Sequence, residues 1–326
     1  MTIKPLFFAV AIAFATPTIA KLSDQAGISG EVSLSAGYTS STSNFDTDAN
    51  ATISDNTQKG QSESGFIPLP LGNVAFTFGS QLDKQFYAGT AREDIAVGTL
   101  ALELGYRQQL ANGTVIDASF LPTIMSGETW ANPFQENVER TTTDEKGNAY
   151  RLKLSNIANS GFSLDTAYAV KDIENELSGQ SHSNDAAEQL KRDATSIYVK
   201  GDYRLFLSRT TFLMPSITYT QTDADGNANS NTLWGGELSL FKVLNQHQFA
   251  LTAGYKTRSY DASHPIYGTT RSDDELSLFA AYEYQQFMGW RNWSLISFAG
   301  YGTTDSNIDF YDEEQLIVSV GMNYQF

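Results

Sequence analysis

Long runs of this chain alternate between apolar and small or polar residues, and a period of two excludes most folds at once. "GISGEVSLSAGY" sets Ile28, Val32, Leu34, Ala36 and Tyr38 against Glu31, Ser33 and Ser35. "TLALELGYR" sets Leu100, Leu102, Leu104 and Tyr106 against Glu103, Gly105 and Arg107, and "FALTAGYKTR" sets Phe249, Leu251, Ala253 and Tyr255 against Thr252, Gly254, Lys256 and Arg258. The last run, "LIVSVGMNYQF", sets Leu316, Val318, Val320, Met322, Tyr324 and Phe326 against Ser319, Gly321, Asn323 and Gln325, with Ile317 out of pattern. Successive side chains of a strand point to opposite faces, so each run is a strand with one greasy and one wet face.

Fourteen such strands are expected, over 27–38, 71–79, 84–91, 95–110, 114–125, 148–158, 162–177, 193–207, 211–223, 231–243, 248–260, 274–288, 292–304 and 315–326. The 71–91 region has the weakest pattern, and reading it as one element or none gives twelve. The connections alternate in length. "ANG" (111–113), "NSG" (159–161), "SRT" (208–210), "NQH" (245–247) and "GWRN" (289–292) are tight turns. Between them lie the long polar segments 39–70, 126–147, 178–192, 224–230, 261–273 and 305–314, rich in Ser, Thr, Asn, Asp and Gly; the short "RED" at 92–94 breaks the rule. Short turns at one end and long loops at the other describe an all-β chain, a single antiparallel up-and-down transmembrane β-barrel with short periplasmic turns and long extracellular loops. An even strand number puts both termini on the short-turn side and pairs the last strand with the first, which leaves no open edge. A soluble sandwich also alternates, but its strands run to about 5–6 residues, whereas tilted membrane strands need about 9–11.

The first twenty residues, "MTIKPLFFAVAIAFATPTIA", read as a secretory signal peptide. Lys4 precedes a short apolar run from Leu6 to Ala15, and Thr18 and Ala20 are small residues before a cleavage point. Domain organisation is then a signal over 1–20 and one barrel over 21–326. Losing the signal removes one lysine and no acid, so the formal charge moves from −16 to −17. The chain has no cysteine, which excludes a lipid-anchored cysteine, a disulfide scaffold and thiolate zinc sites. An acidic chain with no concentrated run of Lys and Arg is not expected to bind nucleic acid. The expected location is the outer membrane of a Gram-negative cell.

If the greasy faces meet lipid, parity puts a charged set inside: Glu31, Glu103, Arg107, Asp117, Arg151, Lys153, Asp165, Lys200, Asp202, Arg204, Glu237, Lys256, Arg258 and Glu283. An Arg or Lys on the lipid face costs about 2–4 kcal/mol near midplane, so the inward assignment is strongly driven. These side chains are the candidate lumen lining. Tyr198, Phe206, Phe241 and Phe279 point inward by the same parity and would give a path for sugars or apolar ligands. Trp290, Trp293, Phe249, Phe162, Tyr324 and Phe326 near the short turns, with Tyr38, Tyr219, Tyr255 and Tyr301 toward the other end, read as two interfacial girdles.

Several stretches carry a resemblance: "GEVSLSAGYTSSTSNF", "REDIAVGTLALELGY", "FLPTIMSGETW", "GNAYRLKLSNI", "FMGWRNWSLISFAGYG" and "DSNIDFYDEEQLIVSVGMNYQF". They are similar to a family of uncharacterised, porin-like outer-membrane β-barrels of marine gamma-proteobacteria, a domain of unknown function. The resemblance implies an outer-membrane barrel and no particular activity. The C-terminal alternation at Val320, Met322, Tyr324 and Phe326 likewise resembles the signal by which the barrel-assembly machinery recognises such proteins.

The function expected is a channel for passive diffusion of small polar solutes, narrowed by the 39–70 loop, needing no cofactor, with outer-membrane lipid and lipopolysaccharide as surroundings. A closed-lumen surface barrel working through its loops is the main alternative. A fatty-acid-type transporter needs an interior plug, and only Lys21 to Gly27 precede the first strand. An enzyme is not expected: His182 and His264 lie in loops, His247 lies in a turn, and there is no nucleophile elbow. Asp223, Asp225 and Asn227 have calcium-loop spacing, but Ala228 and Trp234 stand where that loop needs Gly and Glu. The acidic pairs Asp273/Asp274 and Glu313/Glu314 are candidates for bridging lipopolysaccharide through divalent cations.

Overall fold

A computed structural model of the chain describes residues 22–90, 102–122 and 127–326. Fourteen antiparallel strands form its wall. They begin with β1 (Gly27–Thr42), β2 (Ser62–Phe78), β3 (Lys84–Thr90) and β4 (Leu102–Gln109). The fifth, β5, runs in two pieces along the same edge of its neighbour, Val115–Pro122 and Gly127–Trp130, followed by β6 (Thr142–Ser155) and β7 (Phe162–Ile173). The eighth, β8, is also in two pieces, Ala194–Tyr203 and Leu205–Ser208, interrupted at Arg204 without loss of register against β9 (Thr211–Ala224). Then come β10 (Asn231–Leu244), β11 (His247–Ser263), β12 (Thr270–Gln285), β13 (Trp293–Ser306) and β14 (Glu313–Gln325). Each strand pairs with the next, and β14 pairs with β1 from Glu31↔Gln325 to Thr42↔Glu314. The sheet is therefore a ring, with no exposed edge to template pairing with another chain.

Closure is tight at the seam. Gly30 N–H donates to Phe326 O at 3.0 Å, and Phe326 N–H donates to Gly30 O at 3.0 Å. A side chain at Gly30 would meet Asn73 O at 2.4 Å and the Phe326 ring at 2.8 Å, so only glycine fits. Short turns close the other end. Leu244 pairs directly with His247, and Asn245 takes φ 54° to turn the chain in two residues.

Boundaries differ from the sequence reading where polar or proline-rich segments turn out to be strand. β2 starts at Ser62 rather than 71, which cuts the loop expected over 39–70 to 43–61. Pro68 and Pro70 hid it. Gly72 N–H points away from β1 to Thr90 Oγ1 (3.3 Å), so by alternation the two prolines also turn their nitrogens away from β1. The β1 ladder loses nothing there. β6 starts at Thr142 and β12 at Thr270, both earlier than expected, while β7 ends at Ile173 and β12 at Gln285, both sooner. Residues 178–192, read as loop, hold a short helix, α1 (Asn184–Gln189), whose N-terminal Ala186 N–H is capped by the Ser183 hydroxyl. The signal peptide, the "RED" link and the parts of expected strands at 91, 95–101 and 123–125 lie outside the described residues.

The two faces separate as the pattern requires. Ile28, Leu34, Phe66, Ile217, Leu251, Leu276 and Val320 stand exposed on the outer wall. The inner wall buries polar groups such as Ser35, Thr77, Ser216, Ser239, Thr252 and Asn323. A ring that is apolar outside and polar inside is stable in a bilayer and unstable as an isolated soluble barrel. Phe249, Phe162, Trp290, Trp293 and Phe326 are exposed around the short-turn end, and Tyr38, Tyr255 and Tyr301 toward the other, where aromatic girdles belong.

At the long-loop end the chain builds a second layer. Loops 43–61, 131–141, 174–193, 225–230, 264–269 and 307–312 meet in one apolar cluster of Ile53, Phe134, Leu190, Ala228, Ile308, Phe310 and Tyr311, with Phe45, Ile266 and Tyr267 against it. These loops rise from points all around the ring, so their meeting place lies across its mouth. The long loops are therefore a folded cap rather than the solvated segments their composition suggests.

Candidate functional site

Three groups of charge follow one another around the inside of the barrel. On β3–β7, Arg107 Nε donates to Asp117 Oδ2 at 2.6 Å, and Tyr87 Oη donates to Asp117 (2.6 Å) and Glu103 (2.9 Å). Arg151 Nη2 donates to Asp165 at 2.6 Å, and its other terminal nitrogen donates to Glu103. On β8–β12, Lys200 pairs with Glu237, which also accepts from Ser216 Oγ at 3.3 Å, and Arg258 Nη2 donates to Glu275 at 2.8 Å. At the seam, Glu31 accepts from Asn73 (3.1 Å), Asn323 (3.0 Å) and Gln325 (3.4 Å).

The fourteen residues singled out from parity are all withdrawn from the outside to some degree. Glu103, Asp117, Asp165 and Glu283 are buried, and Glu31, Arg107, Arg151, Lys153, Lys200, Asp202, Arg204, Glu237, Lys256 and Arg258 are half-buried. Parity gives these charges a common face but not their partners. The structure joins Arg107, Arg151, Lys200 and Arg258 each to a carboxylate on a neighbouring or nearby strand, because inward side chains in register lie within reach across the ladder. These pairs are not dry. Side-chain exposure remains 25% at Arg107, 17% at Lys200 and 28% at Arg258, so water reaches them from inside the ring.

The inward aromatics do not form one path. Phe241 is buried and stacks on Phe212 at 4.6 Å near the short-turn end, and Phe279 lies 5.6 Å from Phe298. Tyr198 is half-buried higher on β8. Phe206 departs from expectation: beyond the break at Arg204, all of Leu205–Ser208 is exposed at the rim.

Where the wall meets the cap there is a chamber of about 310 Å³. Its roof is Phe45, Phe134, Leu190 and Tyr311, and its wall carries Lys171, Arg192, Arg258 and Arg271, with no carboxylate on the surface. The acids stand behind: Arg192 Nε donates to Glu176 at 2.7 Å, Arg271 Nη2 pairs with Asp273 at 2.8 Å, and Arg258 pairs with Glu275. Arg271 also lies over the Tyr311 ring at 3.5 Å and the Tyr260 ring at 4.6 Å. Among the described residues, Lys171 makes no side-chain hydrogen bond and has no carboxylate within ion-pair distance. Lys171 shares the parity of Asp165 on its strand but is not among the fourteen singled out. Sequence reasoning missed Arg192 and Arg271, because both fall in segments read as loop.

The acidic pairs divide between faces. Asp273 is buried against Arg271 while Asp274 accepts from Tyr255 Oη at 2.7 Å outside; Glu313 accepts from Ser43 Oγ at 2.7 Å while Glu314 accepts from Tyr301 Oη at 3.1 Å. Strand alternation splits adjacent acids, so neither pair can act as one divalent bridge. The histidines are apart: His182 Nδ1 is 3.3 Å from Ser181 Oγ, His247 Nδ1 is 2.8 Å from Tyr282 Oη, and His264 Nε2 is 2.9 Å from Tyr311 Oη. None of them bonds a carboxylate among the described residues, so no triad is assembled around them.

A closed ring of fourteen tilted strands, greasy outside and charged inside, defines a transmembrane β-barrel. The chain belongs to the family described as "Protein of unknown function (DUF2860)", which matches over residues 27–325. No curated protein matches it. Among solved structures it is similar to OccAB2 of Acinetobacter baumannii, at 13% identity and TM-score 0.39, covering 92% of this chain and 98% of that one. It is also similar to the outer membrane channel DcaP of Acinetobacter baumannii (11% identity, TM-score 0.41, 94% and 100% covered) and to Pseudomonas aeruginosa OprD (12%, 0.37, 93% and 97%).

Proposed function

We propose that the protein is an outer-membrane channel through which small polar solutes diffuse passively. One observation carries this reading: charged side chains that point into the ring remain open to water, as the exposures at Arg107, Lys200 and Arg258 record. A barrel filled by its own side chains buries such groups, as eight-stranded barrels do, while wider rings leave a wet lumen. The paired charges make a wall that is polar without being strongly one-signed, and the cap supplies the narrowest passage. No step of this transport needs a catalytic group or a cofactor. Outer-membrane lipid and lipopolysaccharide surround the wall. The outward residues Val320, Met322, Tyr324 and Phe326 are offered to the barrel-assembly machinery.

The test is swelling of proteoliposomes carrying the mature protein in isotonic glycine, then in sugars of rising size. Swelling that falls off with solute size is the expected outcome. A folded barrel that gives no swelling with any solute would overturn the channel. That result would favour the second reading, a closed surface barrel acting through its loops, which the knitted cap supports.

A further inference from the structure

The chamber beneath the cap has a chemistry that diffusion alone does not require. We infer that it is a binding site for a small organic carboxylate with an apolar or aromatic body, the anion held at Lys171 and the body lying against the roof rings. The inference deepens the channel reading, since such a solute would be held on its way through the barrel, but the site exists whether or not the lumen conducts.

Charge points the same way on each wall. Arg192, Arg258 and Arg271 are oriented from behind by Glu176, Glu275 and Asp273, so their carboxylate partners hold them in place without entering the chamber. Lys171 is different. It opens on the same space, with no side-chain hydrogen bond and no ion pair among the described residues. Glu145, Glu176 and Asp193 act on it only through space, with Arg192 opposing them. Glu176 is engaged by Arg192, and Asp193 accepts from Ile173 N–H at 2.7 Å. An ammonium group that no described protein group engages, set beside a cavity, has donors to offer an anionic oxygen. Phe45 and Phe134 line the same chamber and offer ring surface, which favours an apolar body over a bare inorganic anion. The whole chain is acidic, so this cationic chamber also runs against the molecule's net charge of −16.

The test is isothermal titration calorimetry on the full mature barrel in detergent, with benzoate, inorganic phosphate and benzylamine as probes. Benzoate is expected to bind, phosphate more weakly, and benzylamine not at all. Lys171→Met should weaken benzoate by roughly tenfold or more, as expected for losing a charge-assisted hydrogen bond. Lys171→Arg should retain it, and Glu145→Gln, which removes the carboxylate acting most strongly on Lys171, should tighten it. Heat-modifiable gel mobility verifies that each variant is folded. Equal benzoate binding by wild type and folded Lys171→Met, or none by the wild type, would overturn the site. Tighter binding of phosphate than benzoate would overturn the organic body. A barrel that binds benzoate but does not conduct loses the channel and keeps the site, and a conducting barrel that ignores benzoate does the reverse.

Discussion

His264 is buried within the cap, 1% exposed, with Tyr311 bonded to its Nε2 and the Phe134 and Tyr267 rings packed on it. Burial holds its pKa down to about 3, helped by the nearby Arg271 and His182. A histidine with its folded value depressed binds its proton only when the cap opens, so the closed cap is unaffected above the unfolded value of about 6.5 and weakens as pH falls below it. At pH 5 the penalty on closure is ~2 kcal/mol. Conductance is therefore expected to rise between pH 6.5 and 5 on the loop side, and to stay flat over that range in His264→Gln. Arg140 is the second anchor. It is 3% exposed, lies over the Trp130 ring at 4.4 Å, and donates to the carbonyls of Asn50 (Nε, 2.9 Å), Asn44 (3.2 Å) and Pro133 (2.8 Å). Burial lowers its pKa to about 10, which leaves it charged at neutral pH. Arg140→Met strands those carbonyls at about 1–3 kcal/mol each. Limited proteolysis should then cut loop 43–61 faster, with the β-sheet circular dichroism unchanged.

The cap is the element least visible in the sequence. Each loop gives it only one or two apolar residues, such as Phe45, Ile53, Phe134 and Leu190, and single residues have no period to detect. Its hydrogen bonds are equally non-local: Asn44 Nδ2 donates to Phe310 O at 2.9 Å, and Tyr267 Oη to Asn56 O at 2.7 Å. Strands whose faces alternate were legible, because both lipid and lumen enforce the period. The first half of β2 was not, since its prolines read as a loop signal until the direction of their nitrogens is known. Phe310 is fully buried at the centre of the cap. Phe310→Ala should cost about 3–5 kcal/mol of cap stability. The expected readout is a larger and noisier conductance with unchanged heat modifiability, and an unchanged current would show that the cap does not limit passage.

For the whole molecule, two-faced strands and unequal ends were enough to infer a closed barrel, and parity picked out charged residues that the fold buries or half-buries. Parity could not assign partners, because which inward charges meet depends on register across strands. Arg151 is the clearest instance, since it holds Glu103 and Asp165 together. Removing Arg151 and Lys153 leaves acids on that stretch of wall and should make the lumen cation-selective. The most direct measurement is single-channel conductance of the refolded mature protein in a planar lipid bilayer, with wild type and an Arg151→Ala, Lys153→Ala variant compared in a salt gradient. Stable steps whose reversal potential shifts toward cations in the variant are the expected result. Silence from a correctly folded wild-type barrel would contradict the channel.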